Sequence, residues 1–249
     1  MLERIARAAC GEAAARVIEI GPGPGGLTAL LAPRASELIL VELDPALAGG
    51  LRARYAGVPH VRVIEADVLA TSLGQWGPAV ICGNLPYYIT SPIIENTLAV
   101  GPLLERAVFL VQREVADRLT APPGGREYGY LSASVQAQCR AERLFMVKPG
   151  AFRPPPKVDS AVVRLTPLAT PQAPDLAAFR RFISLCFRQK RKTLRNNLAP
   201  FVPREALDGL PEAGLRAEQL SVAQLAALHA RLEQALSSAS MPKAHPPTA

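Results

Sequence analysis

The amino-acid sequence predicts an α/β fold: a parallel sheet with helices on both faces, followed by a small all-helical domain. Three observations carry this. Short apolar runs alternate with amphipathic segments through the first part of the chain, the strand–helix–strand pattern of a sheet covered on both sides. Thr166–Pro174 (TPLATPQAP) has the composition of a linker, and beyond it only helical periodicity recurs. The 249 residues, 49% of them hydrophobic, suffice for one large core and one small one.

In order, helical periodicity over Leu2–Ala9 gives way to a strand at Val17–Ile20, a glycine loop at Gly21–Gly26 and a helix from Leu27 onward. A second strand follows at Leu38–Val41, and ALAGGLRARYA reads as a helix. VRVIEADV supplies a third strand ending at Asp67, Ala79–Cys82 a fourth, and Ala107–Val111 a fifth that runs into the helical REVADRL segment. SASVQAQC reads as a further helix and ERLFMV and SAVVRLTPL as two last strands, with the proline-rich Pro149–Pro156 between them a stiff surface loop. DLAAFRRFISLCFRQKRKTLRNNL and SVAQLAALHARLEQAL read as amphipathic helices. The expected boundaries are a sheet domain over 1–168, a linker over 169–174, a helical domain over 175–236 and a disordered tail over 237–249.

Composition excludes several classes. Cys10, Cys82, Cys139 and Cys186 lie far apart, without the close pairs of zinc sites or small secreted disulfide frameworks, and point to the reducing cytoplasm. His60, His229 and His245 are scattered and gather no cluster of ligating residues in the sequence, so no metal is expected. No apolar run reaches the roughly eighteen residues of a membrane span, and MLERIARAAC carries charge and periodicity rather than an apolar core, so no membrane partner is expected. The net charge is +7, and Arg180, Arg181, Arg188, Lys190, Arg191, Lys192 and Arg195 account for all of it within a stretch that holds no acid. Such a block on an otherwise balanced chain reads as a footprint for nucleic acid, against the plainer reading of a solvated helix face.

The residues able to do chemistry fall at the carboxyl ends of the expected strands. EIGPGPGG places glycines at 21, 23 and 26 between a strand and a helix, a spacing that allows a tight turn and close approach of a ligand to a helix N-terminus. It suits a nicotinamide or flavin dinucleotide as well as S-adenosylmethionine. Glu42 is the candidate for ribose hydroxyls, with Asp44 as runner-up, and Asp67 could accept from an adenine amine while Val68 packs on the ring. Singly, a helix N-terminal carboxylate would explain Glu42 and a turn cap Asp67; three consecutive strands that each end on a needed group say more. AVICGNLPYYITSP (Ala79–Pro92) then stops an apolar run at Gly83 and offers the amide of Asn84, the fixed φ of Pro86 and the rings of Tyr87 and Tyr88. Such a loop could grip something flat that carries N–H groups, although a tight turn with two half-buried tyrosines would leave the same trace.

EIGPGPGGLT, VELD, EADVL, GNLPYYITSP, VQREVADRL, FRPPPKVDSAVVRL and FRQKRKTLRNNL occur in the order and spacing of the KsgA family of small-subunit ribosomal RNA adenine dimethyltransferases, which the chain resembles from about Val17 to Leu198. The resemblance implies a Rossmann-like class I methyltransferase sheet that binds S-adenosyl-L-methionine through Glu19, Gly21, Gly23, Glu42, Asp67, Val68 and Asn84. It implies dimethylation of the exocyclic amine of two adjacent adenines near the 3′ end of 16S ribosomal RNA, within a pre-assembled small subunit, by a cytoplasmic monomer. The side-chain oxygen of Asn84 and the carbonyl of Leu85 would receive the two amine hydrogens and favour a pyramidal nitrogen facing the methyl carbon. Pro86 would stiffen the loop, Tyr87 would stack on the extruded base, and a second aromatic clamp maps onto Phe152. A basic helix carrying Arg188, Lys190, Arg191, Lys192 and Arg195 would grip ribosomal RNA phosphates. Family members also carry a Gln-Asn-Phe-Leu-like segment ahead of the first helix; MLERIARAA already reads as that helix. Two alternatives remain: a non-catalytic ribosome assembly factor that keeps the fold, against which the complete Asn84–Tyr87 motif speaks, and a large-subunit ribosomal RNA methyltransferase, from which RKTLRNNL separates it. An NAD-dependent oxidoreductase has no obvious need of that motif.

Overall fold

The computed structural model describes residues 1–152 and 155–240. Strands β1 (Ala14–Ile20), β2 (Ala35–Glu42), β3 (Val61–Glu65), β4 (Ala79–Asn84), β5 (Leu104–Gln112), β6 (Cys139–Val147) and β7 (Ser160–Pro167) form one sheet in the order β3-β2-β1-β4-β5-β7-β6. From β3 to β5 all neighbours are parallel, whereas β7 runs antiparallel to both β5 and β6. The sheet is therefore mixed rather than wholly parallel. A parallel pair needs a crossover, usually a helix, but the proline-rich stretch returns the chain directly from β6 to β7 as an antiparallel neighbour. Because β2 and β4 flank β1 on opposite sides, the loops that follow β1 and β4 diverge and open a crevice at the carboxyl edge.

Helices α1 (Leu2–Cys10), α2 (Thr28–Leu31), α3 (Pro45–Arg54), α4 (Thr90–Ala99) and α5 (Arg113–Thr120) cover the sheet. Val17, Leu38, Leu40, Val80, Cys82, Val108 and Leu110 form one cluster with Ile5 of α1, Leu31 of α2 and Leu51 of α3. Side chains alternate along a strand, so the buried Ile18, Ile39, Ile81 and Phe109 serve the other face, and α4 packs on β5 with Ile93, Ile94 and Leu98 buried. Several boundaries differ from expectation, and three of them lie beside the glycine loop and at the ends of β3 and β4. The helix after the glycine loop closes at Leu31, because Pro33 tightens the chain into a 3₁₀ turn over Ala32–Arg34. β3 stops at Glu65, ahead of Asp67, whose carboxylate accepts from the backbone N–H of Leu69 and turns the chain. β4 continues through Gly83 and Asn84, the two residues expected to lie past its end.

The chain divides into two compact units, Met1–Thr120 with Gln138–Ala169, and Ala121–Ala137 with the residues from Thr170 on. The second unit is all-helical: α6 (Tyr130–Gln136), α7 (Leu176–Cys186), α8 (Leu194–Leu198), α9 (Arg204–Asp208) and α10 (Val222–Ser240). The expected boundary at 168 placed residues 121–137 with the sheet, yet Tyr128, Ala133 and Ala137 are buried in a cluster with Phe179, Ile183, Leu194, Leu225 and Leu228. The tail expected from Ser237 begins as four more residues of α10, and the rest of it lies outside the described residues. Among the described residues no helix is long and apolar enough to cross a membrane.

Candidate active site

Two loops meet the crevice. The first follows β1, where Gly21, Gly23 and Gly25 take φ of 60°, 56° and 82°, a left-handed run that a side chain would strain. The third glycine required is thus Gly25, not the Gly26 of the sequence spacing. The N–H of Gly21 bonds the carbonyl of Val41 at 3.0 Å, which pins the loop to β2. Glu42, at the end of β2 and 7% exposed, accepts from the N–H of Gly23 at 2.9 Å with one carboxylate oxygen and from the N–H of Asp44 at 3.0 Å with the other. Each oxygen keeps a lone pair for a ligand, which suits a ribose diol. Asp44, the runner-up for that task, is instead the N-cap of α3, accepting from Ala46 and Leu47.

Glu19 lies one residue before the end of β1 and is buried, and its carboxylate accepts from the Thr28 hydroxyl at 2.7 Å. Burial pushes its pKa up to about 7, the Thr28 hydrogen bond opposes this, and the charge of Glu42 adds to it. This residue braces the start of α2 from behind the glycine loop. The thiol of Cys82 beside it in the ladder is likewise pushed up by burial, which rules it out as a thiolate nucleophile. All four cysteines are free and buried.

The second loop follows β4. At Gly83 a Cβ would stand 2.4 Å from the carbonyl oxygen of Ile20, so only glycine lets β4 pass this close to the end of β1. That approach ties the start of the second loop to the start of the first. Asn84 is exposed, and its side-chain amide has no hydrogen-bond partner among the described residues. Leu85 is buried, with its N–H bonded to the carbonyl of Leu110. The carbonyl of Pro86 accepts from the Ile89 N–H and from the Thr90 hydroxyl, which also reaches the carbonyl of Tyr87. The loop therefore consumes the carbonyls of Pro86 and Tyr87, and among the described residues none donates to that of Leu85. What remains open at the tip is one side-chain amide and one backbone acceptor. Tyr87 is half-buried, its hydroxyl within 2.8 Å of the buried Ser160 hydroxyl, so its ring is held from β7.

A cavity of about 360 Å³ lies between these loops, within the roughly 300–1,000 Å³ range of small-molecule sites. Its walls bring together the expected Gly21, Glu42, Asp67, Val68 and Pro86 with Tyr88, whose ring the sequence offered without a separate task, and add Leu43 and Ile93, which sequence reasoning did not select. Asp67 keeps its second oxygen available beyond the turn cap. A larger cavity of about 720 Å³, lined by Arg7, Gly11, Glu12, Pro33 and Arg34, lies at the amino ends of β1 and β2, the wrong edge for ligand binding in an open α/β sheet. Phe152 is half-buried against the core cluster that includes α1, and no described contact brings it to the Asn84–Tyr87 loop. The neighbouring residues 153 and 154 of the proline-rich stretch lie outside the described residues. Among the described residues no three histidine, cysteine, aspartate or glutamate side chains gather as a metal site.

In the helical unit the expected basic helix is broken. α7 ends at Cys186 and α8 starts at Leu194, because the buried Asn197 side chain donates to the carbonyls of Cys186 and Gln189 and accepts from the N–H of Gln189, holding a turn. Lys190 reaches the carbonyl of Arg126 and the carboxylate of Glu218, and Arg195 pairs with Asp208. Arg188 lies 5.6 Å from the ring centre of Phe201. Arg191 and Lys192 are exposed and form no ion pair among the described residues.

Comparison with known proteins matches these features to one family. The family description "Ribosomal RNA adenine dimethylase" fits residues 1–234. A ribosomal RNA small subunit methyltransferase A from Acidobacterium capsulatum is 46% identical over 229 residues, which cover 87% of this chain and 81% of the relative. The crystal structure of a dimethyladenosine transferase from Plasmodium falciparum superposes with a TM-score of 0.78 at 26% identity, covering 95% of both chains. That of the 23S ribosomal RNA methyltransferase ErmE superposes at 0.70 with 32% identity, covering 94% of this chain and 97% of the other. With its Rossmann-like class I methyltransferase sheet and intact Asn84–Tyr87 loop, this chain belongs to the ribosomal RNA adenine dimethylase family and is an rRNA adenine methyltransferase.

Proposed function

We propose that the chain uses S-adenosyl-L-methionine to dimethylate the exocyclic amine of two adjacent adenines near the 3′ end of small-subunit ribosomal RNA. It acts as a monomer on a pre-assembled small subunit in the cytoplasm, where its four free cysteines stay reduced. The observation that carries this reading is the pair of acceptors left open at the tip of β4, the Asn84 amide oxygen and the Leu85 carbonyl. An adenine amine is a poor nucleophile because its lone pair is delocalised into the ring. Two acceptors that take its two hydrogens localise that lone pair, an interaction strongest in the transition state. The methylated nitrogen is acidic and loses its proton to water, so no strong base is needed. Pro86 holds the turn, and Tyr87, anchored through Ser160, presents a ring for the extruded base, a stacking interaction worth about 1–3 kcal/mol. Phe152 is assigned the opposite face of the base.

The cofactor supplies an electrophilic methyl group. Glu42 would hold its ribose through the free lone pairs, Asp67 its adenine amine and Val68 its ring face, while Gly21 and Gly23 let backbone approach it and Glu19 fixes the loop from behind. Asn84 would face both partners. The exposed Arg188, Arg191 and Lys192 would grip RNA phosphates, with Lys190 and Arg195 shaping the turn that carries them.

The test is transfer of labelled methyl from S-adenosylmethionine to small ribosomal subunits that lack this modification, with the digested adenosines identified by mass. Dimethyladenosine is expected. Monomethyladenosine alone at long reaction times would overturn dimethylation, and RNA binding without transfer would favour an assembly factor. The likeness to ErmE makes 23S ribosomal RNA the necessary second acceptor, and preferential transfer to it would move the substrate to the large subunit.

A further inference from the structure

One wall of the 360 Å³ cavity is built from the carboxyl ends of β1, β2 and β3, and the other from the segment after β4, including Pro86, Tyr88, Ile89 and Ile93. The two adjacent tyrosines of that segment are treated differently. Tyr87 is half-buried and tied to Ser160, whereas Tyr88 is 84% exposed and its hydroxyl has no hydrogen-bond partner among the described residues. A scattered exposed aromatic residue needs no explanation, but Tyr88 is not scattered. It lines the same cavity as Glu42, Asp67 and Val68, and Leu43, the next residue along from the Glu42 carboxylate, is 62% exposed there too. Two large apolar side chains thus stand open to water at the rim of a cavity whose polar groups match a nucleoside. A flat ligand that enters the cavity would remove part of both from water.

We propose that Tyr88 is a cofactor-retaining residue: its ring packs against the nucleoside of the bound methyl donor and sets how fast the spent cofactor leaves. This rests on the reading of the cavity as the cofactor site. The role matters for a double methylation, because each adenine needs two donors in succession at one site. A ring on the loop that also carries Asn84 links release of the spent cofactor to the loop that holds the base. The assignment separates the two tyrosines by task, Tyr87 toward the base and Tyr88 toward the cofactor.

Titration calorimetry of the full chain with S-adenosylhomocysteine tests this, with RNA binding measured in parallel and thermal melting as the control for folding. Tyr88→Ala should weaken cofactor affinity roughly 5- to 50-fold, as expected for loss of a stacked ring, and leave RNA affinity unchanged. Tyr88→Phe keeps the ring and should stay within about twofold of the parent. Undiminished cofactor affinity in Tyr88→Ala would overturn the proposal, as would a loss confined to RNA affinity, which would turn Tyr88 toward the substrate. Glu42→Ala distinguishes the two levels of failure. If it weakens binding and Tyr88→Ala does not, the role of Tyr88 alone falls; if neither does, the cavity is not the cofactor's and both readings fall.

Discussion

In the proposed reaction Asn84 matters through what it does not do: among the described residues its exposed amide spends no hydrogen bond on the fold. Asn84→Ala removes one of the two acceptors and leaves the ladder from β4 to β5 in place, since that pairing uses backbone groups. Loss of one preorganised electrostatic partner costs about 10²–10³ in kcat. Single-turnover methyl transfer should fall by that amount, while calorimetric affinity for S-adenosylhomocysteine falls by less than about tenfold. Unchanged turnover would remove Asn84 from the chemistry. The sequence exposed this residue through the resemblance that GNLPYYITSP carries, since a tight turn would have left the same run ending on an amide, a proline and two aromatics. It could not expose why Gly83 precedes it, since the Ile20 carbonyl that forbids a Cβ lies far away in the chain. Gly25 was hidden for a related reason: a spacing rule counts glycines, but only backbone angles show which of them must be glycine. Tyr87 and Tyr88 are chemically identical neighbours, and nothing in the sequence says that one ring is anchored and the other left in water.

The basic stretch teaches the same lesson for an element. Periodicity made one amphipathic helix of Asp175–Leu198, because Phe179, Phe182, Ile183 and Cys186 recur at helical spacing and Leu194 and Leu198 do so again beyond the basic run. The break comes from Asn197, a single buried amide that satisfies the backbone of the turn, and a polar residue in a basic run gives no such warning. The turn also sorts the charges. Lys190 and Arg195 are held by Glu218 and Asp208, whereas Arg191 and Lys192 have no ion-pair partner among the described residues, and Arg188 has only the Phe201 ring. Replacing Arg188, Arg191 and Lys192 together by alanine should therefore weaken ribosomal RNA binding and lower the slope of log K against log salt by about 2 to 3, near 0.7–0.9 for each phosphate no longer neutralised. Replacing Lys190 and Arg195 should change the slope less and destabilise the turn. Filter binding over a range of potassium chloride measures both, and an undiminished slope in the triple variant would place the RNA elsewhere.

For the whole molecule, the alternation of strands and helices was legible up to β5: a helix separates each successive pair of strands except β3 and β4, which 3₁₀ turns join, and parallel order follows. Beyond it the return through a proline-rich loop, and the transfer of residues 121–137 to the helical unit, depend on packing between distant parts of the chain. One property of the molecule as a whole follows from the most buried acid of the sheet. Glu19 titrates at about 7 in the folded chain, against an ordinary value of 4.5, because burial disfavours its charge more than the Thr28 hydrogen bond supports it. Between these values the folded chain keeps a proton that the unfolded chain has released, so stability declines as pH rises. The contribution is fully present below pH 4.5 and is lost as pH passes 7. The separation corresponds to roughly 2–4 kcal/mol at 1.36 kcal/mol per pH unit. Urea unfolding followed at Trp76, the single tryptophan and a residue of the sheet unit, should show this decline in the parent. Glu19→Gln retains an oxygen for the Thr28 hydroxyl and cannot ionise, so its stability should be flatter across the same window. A variant that keeps the full decline would assign the proton to another group and leave Glu19 charged in the folded sheet.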